Sequence, residues 1–461
     1  PQSMSLKKAE IESQPSWQQV GSTINDNAEY AAAGSSFFGM DVDCSDDGTR
    51  IIIGAYNADE GGTDRGQAFV FDWNGSSWVR VGNILQGTQD GERLGYAVAI
   101  SGDGNYIAIG NPYYHTAAHG DAGRYGVFYL SGATWTILPD SGALTSPTVG
   151  EIDYFIGTTT SELAGFSLSL SHDGKTISAG YRGSVSGAGG DAGQIRVHTY
   201  VNGAWTQKGQ ALSGLESNDR LGDNIDMSSD GNYLIAGSHY GAKSEVYVYD
   251  YVSGSTSWVK RTTLAHPTLP NANTHFYGSS VAISDDGNTV AVGASSDDVD
   301  GTDFGRAYVY TWSGSAWSSP TILSNPQPTT SDTFGSVVSI SGDGTRLIVA
   351  AAREHAGFTD NGQVYTYEYY GGSWQLRKPM GSIGAVGLAD NTRLGEFADG
   401  CMISRDGSTI VVGEYAGVSK ARVFHMPSNI KSIWGSNDDV NWTKITTAPT
   451  REEATSNVAG L

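Results

Sequence analysis

Residues 334–352 read FGSVVSISGDGTRLIVAAA, and this stretch decides the fold. Its opening run alternates in the manner of a strand with one buried face. Ser341-Gly342-Asp343-Gly344 then reads as a turn, because Gly takes positive φ without steric cost and Ser and Asp side chains bond nearby amides. A second apolar run returns from it. Further out, QVYTYEYY (363–370) reads as a third strand, and Gly371-Gly372-Ser373 turns into Trp374 on a fourth.

The unit recurs. Ser-x-Asp-Gly stands at Ser45–Gly48, Ser101–Gly104, Ser171–Gly174, Ser228–Gly231, Ser284–Gly287, Ser341–Gly344 and Ser404–Gly407, its glycines 56, 70, 57, 56, 57 and 63 residues apart. Six residues after each Asp-Gly comes a small residue: Gly54, Gly110, Gly180, Gly237, Gly293, Ala350 and Gly413. Four-stranded units of this size, repeated seven times, predict an all-β, seven-bladed β-propeller. Fourth-strand tryptophans number only six: Trp78, Trp135, Trp205, Trp258, Trp317 and Trp374. The seventh unit stops after its third strand, Ala421–Met426, whereas SWQQVGSTI, with Trp17, precedes the first repeat. The N-terminal strand is therefore expected to complete the last blade, leaving no open sheet edge. Residues 1–15 read as an N-terminal arm, 16–426 as the propeller and 427–461 as a C-terminal tail.

Composition narrows the function. The 461 residues hold 27 Lys and Arg against 49 Asp and Glu, a net charge of −22. Nucleic-acid binding needs clustered cations, and so does a basic membrane-surface helix, so neither partner is expected. No apolar run approaches the ~18 residues of a membrane helix, so no membrane insertion is expected. The start, PQSMSLKKAEIESQPSW, lacks the apolar core of a signal peptide, which leaves a cytosolic chain or a processed, secreted one. Two cysteines exclude a disulfide scaffold and a cysteine-based zinc site. Glycine, at 62 residues, is about twice the ordinary ~7%, as many tight turns require.

The repeats resemble the FG-GAP repeat, the unit of the seven-bladed heads of integrin α chains and of many extracellular proteins. The Phe/Leu-Gly element stands as Phe38-Gly39, Leu94-Gly95, Leu221-Gly222 and Phe334-Gly335, and the Gly-Ala element as Gly54-Ala55 and Gly293-Ala294. The resemblance covers residues 16–426 and implies a propeller at a cell surface, filament or virus particle. One departure matters: the integrin calcium loop is here reduced to Ser-x-Asp-Gly, too few oxygens for the ~6–8 ligands of calcium. Asp47 and Asp103 are therefore expected to form turns.

Site chemistry is expected on the face carrying the second-to-third-strand loops. Asp64, Asp121, Asp191, Asp303 and Asp360 each stand two residues before a shared Gly. The richest loop carries Asp297, Asp298, Asp300 and Asp303, and the next carries Asp59, Glu60 and Asp64. Carboxylates so spaced suit calcium, the one cofactor in view; the alternative for the recurrent Asp is an Asx-turn starting the third strand. His115 and His119 fall in a loop and read as solvated. Tyr113, Tyr114, Tyr154, Phe155 and Tyr181 lie in or beside long loops and suit either a sugar ring or loop packing. Asp41, Asp43, Asp223 and Asp226 interrupt the small and aliphatic first strands and are the acids a metal or enzyme site in the central funnel would use. Cys44 and Cys401, on neighbouring blades, share a strand face, so one is expected to face blade 2 and the other blade 1, as two buried thiols rather than a bridge.

After Met426, residues Ile430–Gly435 and Asn441–Thr446 read as a hairpin. Trp434-Gly435-Ser436-Asn437-Asp438 and Asn441-Trp442-Thr443 resemble the central hairpin of discoidin-type domains, which often bind glycans or lipids. No nucleophile elbow, zinc-helix motif or phosphate loop appears. The expectation is a non-enzymatic extracellular recognition or structural module, used in adhesion or in glycan or protein binding. The alternatives are an assembly subunit docking copies of itself or a parent assembly through its tail and acidic face, and a glycan-active enzyme using the central funnel.

Overall fold

The turn chemistry folds each unit. In every Ser-x-Asp-Gly, the Asp carboxylate accepts from the Ser hydroxyl, as Asp343 does from Ser341 at 2.6 Å, and from the amide two residues on, Thr345 N at 3.0 Å. Burial opposes ionisation of Asp47, Asp103, Asp230 and Asp286, but these hydrogen bonds outweigh it and hold the carboxyls below their ordinary range. The Gly takes a left-handed conformation, φ 67° at Gly344. These aspartates are turn formers.

The structure is a computed structural model that describes residues 9–11, 17–25, 36–140, 153–184, 190–240, 244–268, 276–353, 362–377, 382–384, 400–414, 419–426, 430–436 and 442–447. It is all-β, with seven four-stranded antiparallel blades in a ring. Blade 6 is typical: Phe334–Ile340, Arg346–Ala351, Gln363–Tyr370 and Ser373–Leu376. Blade 7 joins Cys401–Ile403, Thr409–Glu414 and Lys420–His425 to the N-terminal Gln18–Gln19, with Gln18 opposite His425. The N-terminal strand thus closes the ring.

Fourth strands come in two pieces. In blade 1, Trp78–Arg80 and Leu85–Gln86 both pair with Gln67–Trp73. Blade 5 departs from expectation: Trp317 makes only an isolated bridge with Trp312, and the fourth strand is Thr321–Ser324. Other tryptophans latch blades together through Nε1, Trp78 to Val20 O at 2.9 Å and Trp135 to Val81 O at 3.0 Å.

The apolar core is not central. It lies in seven seams, each between two neighbouring blades, whereas an open row of seven blades would have six. The seam that closes the ring joins Val42, Cys44 and Ile53 to Val411, Ala421 and Val423. Glycine at the end of the second strand sets how closely blades approach. A Cβ on Gly54, Gly110 or Gly293 would lie about 2 Å from the carbonyl oxygen of Gly95, Gly165 or Gly335 in the next blade. This explains the column of small residues. Both cysteines are free and buried, but each faces the preceding blade rather than blade 2 or 1: Cys44 packs on blade 7 and Cys401 on Val337 and Ile348 of blade 6.

The tail forms the expected hairpin, Ile430–Ser436 with Trp442–Thr447, and the arm adds Ala9–Ile11 as a third strand, Ala9 opposite Ile433. The rest of the arm, the hairpin turn and residues 448–461 lie outside the described residues, as does Asp360.

Candidate functional site

The first strands of neighbouring blades touch one another all round the ring and line a central channel. An innermost strand presents a free edge of N–H groups. Here side chains of the preceding blade satisfy that edge: Asp41 accepts from Val98 N at 2.7 Å, Asp43 from Ile100 N at 2.8 Å and Asp226 from Ile283 N at 2.9 Å. Ser280 and Ser339 do the same for Val338 N and Ile403 N, at 2.9 and 3.2 Å. Three of the four channel aspartates are thus backbone partners, a role that Ser fills elsewhere in the ring. Burial is the main influence on Asp43 and pushes its carboxyl up to about 7 against the pull of the Ile100 and Cys44 amides. Asp226 is raised for the same reason, against Arg405.

At the end formed by the Ser-x-Asp-Gly turns, the x residues close the channel. His172 Nδ1 meets Asp46 at 2.6 Å, and Ser229 donates to Asp285. Arg405 reaches across from blade 7 to Met227 O at 2.8 Å and Ile283 O at 3.0 Å, with Asp226 and Asp285 both at 3.4 Å. Along the first strands, from Asp41 and Val98 to Asp46 and His172, the channel holds only about 60 Å³.

The opposite end is open. A cavity of about 340 Å³ is lined by Tyr56, Tyr96, Phe166, Arg182, Asp223, His239 and Tyr240 from blades 1 to 4, and by Ser279, Ser295 and Ser336 from blades 5 and 6. The residue before each Phe/Leu-Gly element, or before its counterparts Ala164-Gly165 and Tyr277-Gly278, stands at the rim with a left-handed backbone: Phe37, Arg93, Leu163, Arg220, Phe276 and Thr333, φ 47–58°. Its N–H is held in four blades by the carbonyl of the recurrent Asp, as Arg93 N by Asp64 O at 3.2 Å and Arg220 N by Asp191 O at 3.0 Å. Aromatic side chains continue one another round this rim: Phe37 stacks on Tyr56 at 5.0 Å, Tyr56 meets Tyr96 at 5.2 Å and Tyr96 meets Phe166 at 4.8 Å. Arg182 lies over Phe166 at 4.6 Å and pairs with Asp223 at 2.9 Å. Burial, opposed by Arg182 and Arg220, pushes Asp223 up to about 7. Burial and the same two arginines hold His239 down to about 3, so its imidazole is neutral.

The acidic loops are arranged otherwise than a metal site needs. Asp297 is fully buried and accepts from Tyr308 and from Val299 N at 2.9 Å, with His266 Nε2 at 3.0 Å. Burial opposes its ionisation, yet these partners hold it down to about 2. Asp300 is engaged by Arg306 at 2.6 Å. Asp298 accepts from Asp303 N at 2.7 Å, as Asp59 does from Asp64 N at 2.8 Å, while Glu60 is exposed. Among the described residues no three His, Cys, Asp or Glu side chains are gathered as a metal would require. The recurrent aspartates Asp64, Asp121, Asp191 and Asp303 adopt φ 49–55°, which Asp tolerates better than most residues, so they serve as left-handed corners rather than Asx acceptors. His115 lies on the exposed loop and accepts from Asp121 N at 2.8 Å.

Of the four tyrosines expected to meet sugar, only Tyr113 lies at the open mouth, 6.0 Å from Tyr96. Tyr114 and Tyr181 are buried. Tyr114 and Tyr154 lie under Arg124, which pairs with Glu92, and Tyr181 bonds Tyr125 at 3.2 Å. Long-loop aromatics here pack blades. Sequence reasoning missed the mouth because its residues sit one place before and one place after the Phe/Leu-Gly element and at the ends of second strands. Superposing the seven repeats would have exposed these columns, where Arg and aromatics interrupt aliphatic strands.

A family model for the FG-GAP repeat matches residues 31–71 and 271–310, which fall in units 1 and 5. No curated protein matches the chain. Among solved structures, a hydrazine synthase chain of Kuenenia stuttgartiensis aligns with a TM-score of 0.50 at 12% identity, over 92% of this chain and 98% of that one. The WD40 repeats of RRP9 align with a TM-score of 0.52 at 8% identity, over 89% and 100%. At these identities the likeness is one of propeller fold.

Proposed function

Starting from FG-GAP repeats closed into a seven-bladed ring, we propose that this chain is a non-enzymatic recognition module that takes its ligand at the open mouth of the channel. The reading extends to an extracellular or particle-surface setting, in keeping with the acidic chain and the repeat type. One observation carries the site: a cavity of about 340 Å³ gathers aromatic rings, arginines and a neutral, buried His239 whose Nδ1 has no hydrogen-bond partner among the described residues. Ligand sites are concave and largely apolar, with a few polar groups that fix orientation. Blades of a rigid ring present such groups without rearrangement, which limits the ordering cost of binding.

A second reading, chemistry on the ligand, draws on Asp223, which lines the same cavity as His239 and whose carboxyl near 7 suits proton transfer. Glycan and protein arrays probed with the full chain, with Tyr96→Ala and with residues 427–461 deleted separate the possibilities. The recognition reading expects binding that Tyr96→Ala abolishes and the deletion spares, with the bound glycan or protein recovered unaltered. Binding that survives Tyr96→Ala removes the mouth as the site. Altered glycan or protein establishes an enzyme.

A further inference from the structure

The open mouth carries charge against the trend of the molecule. In a chain of net charge −22, Arg93, Arg182 and Arg220 stand at its rim. Arg182 pairs with Asp223, whereas Arg93 and Arg220 form no salt bridge among the described residues, Arg220 acting on Asp223 only from longer range. Arg93 lies over Tyr113 at 4.7 Å and Tyr56 at 5.7 Å, and Arg220 over Tyr240 at 4.2 Å. A guanidinium seated over a ring still has N–H groups to offer a planar or tetrahedral anion. Both arginines sit at left-handed positions, φ 58° and 49°, conformations that bulky residues adopt only where the surroundings hold them.

Two neutral polar groups face the same cavity unsatisfied. His239 is 7% exposed with Nδ1 unpartnered, and the Ser279 hydroxyl also lacks a partner among the described residues. Buried polar atoms generally take a hydrogen-bond partner, so both groups are available to hydroxyls of a bound molecule. Tyr96 and Phe166, half-buried, add ring surface. A bare inorganic anion has no use for the rings, and a neutral sugar has none for two unpaired cations. A ring with apolar C–H edges, hydroxyls and an acidic group uses all three.

We infer that the ligand of this mouth is an acidic oligosaccharide, its sugar rings bearing carboxylate or sulfate groups. Arg93 and Arg220 take the acid groups, the aromatic rim stacks on the sugar rings, and His239 and Ser279 bond hydroxyls. This rests on reading the mouth as the recognition site.

The test is calorimetric titration of the full chain with three tetrasaccharides: a galacturonan (carboxylate), a sulfated galactan and an uncharged galactan. At least one acidic ligand is expected to bind about tenfold or more tighter than the uncharged one, with affinity falling as salt rises; which of the two does so identifies the acid group. Arg93→Asn and Arg220→Asn remove the charge, and Asn tolerates the left-handed backbone, so the fold is kept. Each is expected to weaken the acidic ligand about tenfold, with Arg220→Lys restoring part of the loss. Lys260→Asn, on the exposed outer strand of blade 4, removes the same charge and is expected to leave affinity unchanged. Equal binding of charged and uncharged galactans, no binding of either acidic ligand, or equal damage from Lys260→Asn and Arg220→Asn each overturns the inference. Acidic ligands that bind yet ignore both arginine variants and Tyr96→Ala refute the mouth itself. Acidic ligands that fail while Tyr96→Ala abolishes an array hit refute only the ligand class.

Discussion

The two ends of the channel are built from the same seven repeats and come out opposite. At the turn end each blade contributes a tight Ser-x-Asp-Gly, and its x residues find one another: Asp46 with His172, Ser229 with Asp285, and Arg405 with Asp226 and Asp285. At the loop end the blades contribute left-handed rim residues; among the described residues Arg93 and Arg220 form no salt bridge, and His239 Nδ1 and the Ser279 hydroxyl have no hydrogen-bond partner. Satisfied polar networks rigidify, whereas unsatisfied ones are where binding gains most. The turn end therefore holds the ring together, and the loop end is where the proposed recognition would take place.

Opening the ring disturbs both ends and has the largest expected effect. Trp17 is 5% exposed in the seam between blades 6 and 7, so Trp17→Ala should cost about 3–5 kcal/mol in denaturant unfolding. A loss below about 1 kcal/mol would mean that the N-terminal strand does not seal the ring. Next is the staple. Arg405→Met leaves Asp226, Asp43 and Asp285 without their cation and should cost about 3 kcal/mol at pH 8 while leaving mouth binding intact. The loss should shrink at pH 5, because Asp43 and Asp226 have raised pKa values and take up protons readily there. A loss independent of pH would place the contribution of Arg405 in packing alone.

The same shifts set the pH dependence of the native protein. Asp43 and Asp223, raised to about 7, stay protonated in the fold after the unfolded chain has ionised, so stability should decline as pH rises from about 4 to about 7 and then level. The turn aspartates are lowered, so their contribution is present above about 4 and is lost as pH falls through their folded values. Thermal melting should accordingly peak near pH 4–5, and Asp43→Asn should flatten the decline toward pH 7. A maximum above pH 7 would contradict both assignments.

At the open mouth the balance reverses. Tyr240 is 40% exposed, and Tyr240→Ser should change stability by no more than about 0.5 kcal/mol while weakening ligand binding. The smallest expected effect is that of calcium. With Asp297 committed to His266 and Tyr308 and Asp300 to Arg306, melting in calcium and in chelator should agree within about a degree, and a rise of several degrees would return metal to that loop.

The repeat, the blade number and the closing strand were legible because each rests on local chemistry: Ser341 and Asp343 in a turn, Gly293 where blades touch, Trp17 out of place at the start. Blade 5 was misread at Trp317 because a tryptophan marks a latch rather than a strand. The acidic loop was only partly legible because spacing along the chain does not show that Asp297 turns inward to His266, contributed by a segment 31 residues away. For Tyr114 and Tyr181 the sequence leaves sugar contact and loop packing both open, because loop position hides burial. The mouth assembles residues from six blades, and only the ring brings them together.

The most direct test is a crystallographic screen of small sugar acids and aromatic carboxylates against the full chain. Bound fragments are predicted to gather at the loop-end mouth, in contact with Tyr96, Arg220 or His239. Fragments gathering at Arg405 or on the outer strands, with the mouth empty, would contradict the division of roles between the two ends.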